Sequence, residues 1–525
     1  MNPLSLTDFE RGPVVRLANA FRDPYDNAVA AARTCYSSEV VSSDDVRKDE
    51  AARARRDAIA KSIYLAGHHT TLQHASFQFA IERVSRNCIW SFLHSHPYYN
   101  SEQVSQRYVR VAPENFSVPV LPESCRGVYF EAVEGLMRAY QTLQEVLEPV
   151  VRSEHGKIFP ARDVSQKRWK SWIQKRCQEV ARYVLPLATH AHLYHTISGV
   201  TLLRYLRLCR TFDVPREQEI LVRKMAEAVR EWDPDFLKNA EDPLPIEETP
   251  EYAFFPGGMG AEGRESAVKF LKEFDGSLGG RTSLLVDHKP NSEKVMAGAV
   301  RNMLALPAGE LDDARAVALV MDPARNPLLS ETMNLTHHSK LTRAMVHPHF
   351  TFRKKISHTA DSQGQRHRTV PGSRPVLARH AADSPDYVTP DLIRRSPRAE
   401  EVYVSAMNDL WGRIVRLREQ GADPEAALYL LPNAFPIRFE ESGSLLDFHH
   451  KWVHRLCYTA QEEIWNCCVE EVSQVEEVFP DIGRHLRAPC ALRRTAGRKP
   501  FCPEGDRFCG VPVWNLNLEQ YRRTL

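Results

Sequence analysis

The sequence predicts an α+β protein made of two tandem copies of one domain, each with a small sheet and long helices. Long stretches with helical periodicity alternate with short runs of strand character, such as Phe77-Gln78-Phe79. Short motifs from the first half also recur in the same order in the second half. A stretch rich in proline, glycine and acidic residues, 241–260, lies between the halves. We therefore predict one domain over residues 1–245 and a second over residues 246–525.

The individual elements follow from the same patterns. Helical patterns cover residues 21–35, 44–67, 128–151, 166–183, 202–209 and 216–229, and the strand at 77–79 lies among them. Leu185-Pro186 ends one helical stretch, because proline cannot continue a helix. In the second half, Phe350-Thr351-Phe352 has the strand pattern again.

Five recurring motifs support the duplication. Each motif is short enough to recur by chance, but the shared order is not easily explained by chance. The pairs are His69-Thr70-x-Leu72 with His338-Ser339-x-Leu341, Phe77-x-Phe79 with Phe350-x-Phe352, Ser85-Arg86 with Ser357-His358, Leu185-Pro186 with Leu431-Pro432, and Gln218-Glu219-Ile220 with Glu462-Glu463-Ile464.

Length and composition limit the class of protein. A chain of 525 residues is too long for one ordinary hydrophobic core, and 43% hydrophobic with 26% charged residues is typical of a soluble globular protein. A net charge of +2 gives no field that would draw the protein to nucleic acid or to a membrane. The sequence has neither a long apolar run nor a secretory signal pattern, and its eleven cysteines favour reduced thiols over a disulfide framework. We therefore expect a cytoplasmic protein without nucleic-acid or membrane partners.

The most informative motif is Gln363-x-x-Arg366-His367-Arg368, which follows the strand at 350–352. A guanidinium is a permanently charged planar fork, so two of them suit bidentate binding of a phosphate or of a pyrimidine carbonyl edge. The alternative interpretation is a solvated basic loop. The strand, followed by Gln-x-x-Arg-His-Arg, resembles the flavin-dependent thymidylate synthases. The resemblance implies that Gln363 binds the nucleotide and that the flavin is bound by Arg366, His367, Arg368, His338 and Ser339.

The resemblance extends to the first copy. Gln103-x-Ser105-x-Arg107-Tyr108 is similar to the substrate segment Glu-x-Ser-x-Arg-Tyr of that family, with Gln103 in place of its Glu and Glu102 beside it. The family also has an arginine three residues before the Leu of a Leu-Pro pair, which Arg182 matches and Leu428 does not. The substrate-binding residues that the resemblance implies in this copy are Glu102, Gln103, Ser105, Gln106, Arg107 and Arg182.

A late arginine completes the predicted site. Arg455 lies nine residues before Ile464, where the family has an arginine that faces the pyrimidine, and Arg210 matches this position in the first copy only after a one-residue shift. In the family, each active site is assembled between subunits. The resemblance therefore implies one composite site between the two copies, either within one chain or between the chains of a homodimer that imitates the family's tetramer.

The implied reaction is the reductive methylation of dUMP to dTMP. The resemblance implies FAD as cofactor, methylenetetrahydrofolate as carbon donor and NADPH as reductant. Arg366 and Arg455 would be catalytic, because cations beside the uracil oxygens stabilise the negative charge that makes carbon 5 nucleophilic. Two alternatives remain: C5 methylation or hydroxymethylation of another pyrimidine nucleotide, and a non-catalytic nucleotide-binding homologue. The second is favoured by Ser198-Gly199-Val200 and Ser444-Leu445-Leu446, which replace the family's Asn-x-Arg flavin contact.

The sequence gives weak signals for a metal. His68-His69 and His337-His338 are adjacent pairs, whose side chains diverge on a strand or helix. The tail holds Cys490, Cys502 and Cys509 without a clear fourth ligand. We therefore predict no metal, with structural or incidental tail cysteines.

Overall fold

The computed structural model describes residues 12–211, 213–255, 264–523 and 525. Eight strands are present among them: β1 (Val14–Ala20), β2 (Ser76–Ser85), β3 (Tyr99–Gln103), β4 (His190–Ser198), β5 (Ser283–His288), β6 (His349–Ser357), β7 (Gly372–Ser373) and β8 (Pro436–Ser444). The α-helices are α1 (Pro24–Thr34), α2 (Ser43–Arg47), α3 (Glu50–Leu65), α4 (Arg86–His94), α5 (Glu123–Ile158), α6 (Lys167–Ala181), α7 (Gly199–Leu208), α8 (Arg216–Trp232), α9 (Pro250–Phe254), α10 (Arg264–Ser277), α11 (Ser292–Leu304), α12 (Asp313–Met321), α13 (His358–Gly364), α14 (Leu377–His380), α15 (Asp391–Arg394), α16 (Pro397–Glu419), α17 (Pro424–Leu428), α18 (Leu445–Arg455), α19 (Glu462–Val478), α20 (Pro480–Gly483) and α21 (Pro489–Thr495).

The strands form two separate antiparallel sheets with the same topology. The first has the order β1-β2-β4-β3 and the second the order β5-β6-β8-β7. Alternate residues of β2 and β6 are buried, among them Phe77 and Phe79 in β2, and Phe350 and Phe352 in β6. This alternation is the period-2 pattern of a sheet with one face on a core. The predicted α+β class and the predicted duplication are both confirmed.

The end of the second strand is built identically in the two copies. The hydroxyl of Ser85 accepts the N–H of Cys88 at the start of α4, and the hydroxyl of Ser357 accepts that of Ala360 in α13. Such serine caps satisfy backbone donors that a helix leaves free at its first turn. Each serine also bonds a buried glutamate, Glu217 for Ser85 and Glu463 for Ser357.

These contacts correct one of the five motif pairs. Glu217 and Glu463 occupy the same position, the second residue of α8 and of α19. The pairing of Gln218-Glu219-Ile220 with Glu462-Glu463-Ile464 was therefore wrong by two residues. Ser198 and Ser444 are equivalent, because each immediately precedes a helix. Arg455 lies eleven residues after Ser444, and the residue eleven after Ser198 is Cys209 rather than Arg210. Arg210 instead forms an ion pair with Glu219 at 2.8 Å, away from the site described below.

The two copies are joined by reciprocal main-chain hydrogen bonds around the two Leu-Pro pairs. The N–H of Leu187 donates to the carbonyl of Leu431, and the N–H of Asn433 donates to that of Leu185, both at 2.8 Å. Pro186 and Pro432 form the antiparallel bridge between them. Equivalent segments thus exchange equivalent bonds, as expected of two copies related by a twofold axis.

A shared hydrophobic core completes this interface. It contains apolar residues of α5 and α6 from the first copy and of α16 from the second, such as Leu136, Leu143, Met407 and Trp411. Each copy also has a core of its own beneath its sheet. The copies therefore meet within one chain.

Two sequence-based predictions are only partly covered by this structure. The boundary between residues 245 and 246 stays a prediction, and residues 256–260 of the expected linker lie outside the described residues. In the part of the chain that the structure describes, none of the helices combines the length and the apolar character needed to span a bilayer.

Candidate active site

The first copy contributes a cluster of cations around one carboxylate. Arg182 lies directly after α6, where its side chain is buried and its Nε donates to the carbonyl of Glu179 at 3.2 Å. Arg107 Nη2 lies 3.0 Å from the Glu179 carboxylate, and Arg176 Nη1 lies 3.1 Å from it. Glu179 is therefore the common anionic neighbour of these guanidiniums.

The second copy contributes the end of α13 and the end of α18. Arg455 donates from Nε to His367 Nε2 and from Nη2 to the carbonyl of Gln363, both at 3.0 Å. His367 must accept at Nε2, so its proton is assigned to Nδ1. Burial, followed by the charge of Arg455, lowers the pKa of His367 well below its ordinary value, so the ring is neutral at pH 7.

Direct contacts bring the two sets together. Arg107 of the first copy donates to the carbonyl of Thr459 in the second at 3.0 Å. Arg366 of the second copy bonds both carboxylate oxygens of Glu102 in the first, at 2.6 and 2.8 Å. Since the two contacts cross between copies within one chain, the composite arrangement forms without a partner chain.

Asn433 links the copies at a third point. Its side-chain amide donates to Gln106 Oε1 at 3.0 Å and to the carbonyl of Arg182 at 2.9 Å. Asn433 follows Pro432, so the reciprocal backbone bridge also fixes this amide. The segment 105–107 and the end of α6 are therefore positioned by the second copy.

The electrostatics of this region are dominated by a group of arginines around Glu179. Burial alone would raise the pKa of Glu179, but the surrounding guanidiniums, Arg523 included, lower it to about 2. Glu179 thus interacts with four arginines, Arg107, Arg176, Arg182 and Arg523, and two further carboxylates take part, Glu463 beside Arg182 and Glu462 beside Arg523. Burial, with a contribution from Arg176, lowers the pKa of Arg523 to about 10. Burial similarly lowers the pKa of Arg455 to about 10, with a contribution from Arg107 and Arg366.

Hydrogen-bond donors without partners lie in the same region. Buried N–H groups that contact no acceptor among the described residues are Gln106 Nε2, Arg107 Nε, Arg182 Nη2, Gln363 Nε2 and Arg523 Nη2. A buried donor without an acceptor costs about 1–3 kcal/mol, and a buried charge without a counter-ion costs more. The common chemistry of these atoms, donors on a cationic surface, is that of an anion-binding site.

A cavity of about 330 Å³ lies between the first sheet and the Arg-His-Arg triplet. Arg366 and Arg368 line it from the second copy, and Tyr99, Asn100 and Glu102 line it from the first. Arg368 donates to Asn100 Oδ1 at 3.0 Å, and its guanidinium lies 5.1 Å from the Tyr99 ring centre. These guanidiniums fit the anionic diphosphate of a dinucleotide such as FAD, and the buried Tyr99 ring supports Arg368 from below.

Other predicted residues have more local roles in this structure. Gln103 Oε1 accepts from Arg86 at 2.7 Å, and the hydroxyl of Ser105 accepts the N–H of Arg107 at 3.2 Å. His338 is exposed, and the carbonyl of Ser339 accepts the N–H of Arg343 at 3.3 Å. The placement of these residues does not test the roles that the resemblance implied, which stay predictions.

Sequence reasoning missed three residues of this site. Arg86 is buried beside Arg182, and burial lowers its pKa to about 10. Arg523 reaches the cluster from a segment far from the motifs, and Asn433 acts across the copy interface. Arg86 could have been found from the sequence, because it belongs to the repeated Ser85-Arg86 motif. Arg523 belongs to none of the repeated motifs.

Fold and site together define a class: a duplicated α+β protein with a cluster of buried arginines at the interface of its copies. A comparison with family models matches residues 16–235 and 284–481 to the family of the thymidylate synthase complementing protein. The two segments cover more than half of the chain and correspond to the two copies. The chain belongs to this family, that of the flavin-dependent thymidylate synthases. The family and the enzyme class predicted from the motifs are confirmed.

Curated relatives agree with this assignment. The chain is 27% identical over 232 residues to a flavin-dependent thymidylate synthase of Clostridium tetani, covering 43% of this chain and 86% of the relative. It is 28% identical over 237 residues to a flavin-dependent thymidylate synthase of Geobacter sulfurreducens, covering 43% of this chain and 92% of the relative. Each relative therefore has about the length of one copy.

Solved structures are also similar. One is a UMP/dUMP methylase of Streptomyces cacaoi bound with 5-Br dUMP, with 19% identity, a TM-score of 0.31 and coverage of 43% of this chain and 93% of that one. Another is a flavin-dependent thymidylate synthase of Helicobacter pylori complexed with FAD and dUMP. It has 20% identity and a TM-score of 0.30, and the match covers 44% of this chain and 99% of that one.

Proposed function

We propose that this enzyme methylates dUMP to dTMP reductively at the composite site between its two copies. The observation that carries the proposal is the cluster of four arginines around Glu179, together with the buried donors beside it that contact no acceptor among the described residues. A nucleoside monophosphate carries a charge near −2, which such a surface neutralises. The names of the relatives supply the nucleotide and the reaction.

In this proposal the first copy binds the phosphate. Arg107 and Arg182 approach the Glu179 cluster, and each keeps a buried guanidinium N–H free of protein acceptors in the described residues. A phosphate accepts several charge-assisted hydrogen bonds at about 2.7–2.9 Å, so it satisfies both donors at once. Glu179 stays ionised and holds the guanidiniums in place before the nucleotide arrives.

The second copy then acts on the pyrimidine ring. Arg455 is held by the neutral ring of His367 and the carbonyl of Gln363, neither of which neutralises its charge. A guanidinium with a pKa of about 10 remains charged at pH 7 and stabilises the negative charge that develops on the ring oxygens. Arg366 adds a second cation once Glu102 releases it.

Arg366 and Arg368 would hold FAD at the cavity of about 330 Å³ between the copies. The flavin, when bound, supplies the redox step of the reaction. Methylenetetrahydrofolate as carbon donor and NADPH as reductant belong to the same proposal. A homodimer and a cytoplasmic location also remain predictions.

Binding and product analysis test the proposal. Arg182→Met removes one buried cation, and we expect dUMP to bind at least about 30-fold more weakly, the equivalent of about 2 kcal/mol. Arg210→Ala is the matched control, because that arginine forms a surface ion pair outside the site. Unchanged dUMP affinity in Arg182→Met, measured by isothermal titration, would refute the phosphate site.

The flavin and the substrate need separate measurements. The purified or reconstituted wild type should show flavin absorbance, and Arg368→Ala should lose it while circular dichroism stays unchanged. Failure of the wild type to bind flavin would support a non-catalytic homologue. Turnover with dUMP, UMP and dCMP, followed by chromatography, distinguishes dUMP methylation from modification of another pyrimidine nucleotide.

A mixing experiment tests the location of the site. The cross-copy contacts lie within one chain, so Arg107→Ala and Arg366→Ala should each abolish activity. A mixture of the two variants should remain inactive, since neither chain has a complete site. Recovery of activity on mixing would show that the site is shared between chains.

A further inference from the structure

A cavity of about 280 Å³ beside the composite site is lined by four cysteines. They are Cys457, Cys490, Cys502 and Cys509, and none of them forms a disulfide. Cys457 follows α18, Cys490 lies in α21, and the other two lie in the tail beyond it. Cys457, from a distant part of the sequence, thus lines the same cavity as the three tail cysteines, and the prediction that these are structural or incidental stays a prediction.

The four thiols are mutual neighbours. All four line one cavity, and every pair among them lies within the range of electrostatic interaction. An isolated buried cysteine behaves only as a small apolar side chain, whereas four thiols around one cavity form a set of potential ligands.

Four thiols around one cavity that do not converge on a single ion suit a cluster better than one metal ion. Zinc binds thiolates at about 2.3 Å, which requires its ligands to converge tightly on one point. Among the described residues, no three His, Cys, Asp or Glu side chains converge in a way that holds one metal ion. In an iron–sulfur cluster the cysteines bind different iron atoms, so four thiolates surround a wider space.

The surroundings suit an anionic cluster. Arg493 lines the cavity and is fixed by the carbonyls of Ser330 and Pro500, at 3.1 and 2.9 Å. Apolar side chains such as Val511 and Phe508 cover other parts of the wall. Positive charge and apolar shielding are both features by which proteins stabilise and tune such clusters.

We propose that Cys457, Cys490, Cys502 and Cys509 bind an iron–sulfur cluster. Three of these cysteines lie beyond residue 481, where the family match ends, so the site is an addition to the matched fold. The cluster would lie next to the composite site. Cys457 is 3.2 Å from the hydroxyl of Thr459, whose carbonyl accepts the hydrogen bond from Arg107.

Anaerobic reconstitution tests the proposal without any need for nucleotide turnover. The full chain is incubated with ferrous iron and inorganic sulfide, desalted, and analysed for iron, acid-labile sulfide and zinc. We expect iron and sulfide in equal amounts, as in a [2Fe–2S] or [4Fe–4S] cluster, with visible absorption that dithionite bleaches. About one zinc per chain without sulfide, or no bound metal at all, would overturn the proposal.

Variants connect the cluster to these four residues. The double variant Cys502→Ser/Cys509→Ser should lose the bound iron and sulfide, while Cys35→Ser, an exposed thiol outside the cavity, should retain both. Circular dichroism checks the fold, and Cys490→Ser serves if the double variant does not fold. Full retention of iron by the folded variants would assign the metal to another site and overturn the proposal.

Discussion

Glu425 of the second copy contacts the first copy, and its ionisation makes the stability of the protein depend on pH. This dependence gives a quantitative test of the contact. This residue lies in α17, and its side chain is 12% exposed. Its Oε1 accepts the N–H of Arg216, from the first copy, at 3.0 Å, while Asp423 and Glu217 are acidic neighbours. Burial raises the pKa of Glu425 from its ordinary 4.5 to about 7.

The size of the effect follows from these two values. The folded protein binds this proton more tightly than the unfolded chain does. The resulting stabilisation is complete below pH 4.5 and is lost as the pH rises through about 7. At about 1.4 kcal/mol per pKa unit, the loss amounts to about 3 kcal/mol of unfolding free energy in mildly alkaline solution.

Glu425→Gln isolates this contribution. The amide keeps the acceptor for Arg216 and cannot ionise, and the Arg216 guanidinium retains Asp423 at 3.1 Å. We expect urea unfolding to show equal stability of variant and wild type at acidic pH, and a variant about 3 kcal/mol more stable at alkaline pH. Glu419→Gln, at the exposed end of α16, is the control. A difference that does not change with pH would refute the reasoning.

Two further substitutions test buried polar contacts. The Tyr183 hydroxyl donates to Glu463 of the other copy at 2.6 Å, so Tyr183→Phe should cost about 1–3 kcal/mol in urea unfolding, and an unchanged midpoint would contradict this. Lys354 bonds Glu441 and Glu471 at 2.8 and 2.7 Å inside the second copy. Lys354→Met should therefore cost about 3–5 kcal/mol by the same assay, and a loss below about 1 kcal/mol would show that the network does not need this cation.

Much of the fold was predictable because its signals are local. Helical and strand periodicities predicted the long helices of the first half and the strands around Phe77 and Phe350, since these patterns need no long-range information. The ordered motifs predicted the duplication for the same reason. The register of the last motif failed because the role of Glu217 depends on Ser85, which lies far away in the sequence.

The candidate site was predictable only where a motif carried it. Arg107, Arg182 and the triplet at 366–368 belong to recognisable segments, and the structure brings them together at the copy interface. Arg523 and Cys457 could not be found in this way. The relevant neighbours of each residue approach it only after folding. They are Glu179 for Arg523 and the tail thiols for Cys457.

The distribution of charge explains why the duplicated protein concentrates its cations on one side. After the capping serine, the first copy has Arg86 where the second copy has His358. Four residues before the proline of the Leu-Pro pair, the first copy has Arg182 where the second copy has Leu428. Burial lowers the pKa of His358 to about 3, so this position is neutral at pH 7. A buried cation without a counter-ion destabilises a fold unless a ligand compensates it. Replacing arginine by a neutral or apolar residue at positions that bind no anion therefore stabilises the copy that carries the change. A protein with one copy per subunit carries each arginine in every copy, whereas a tandem protein needs it only in the copy that contributes it to the proposed site. One composite site thus leaves fewer buried cations without a counter-ion than two such sites would.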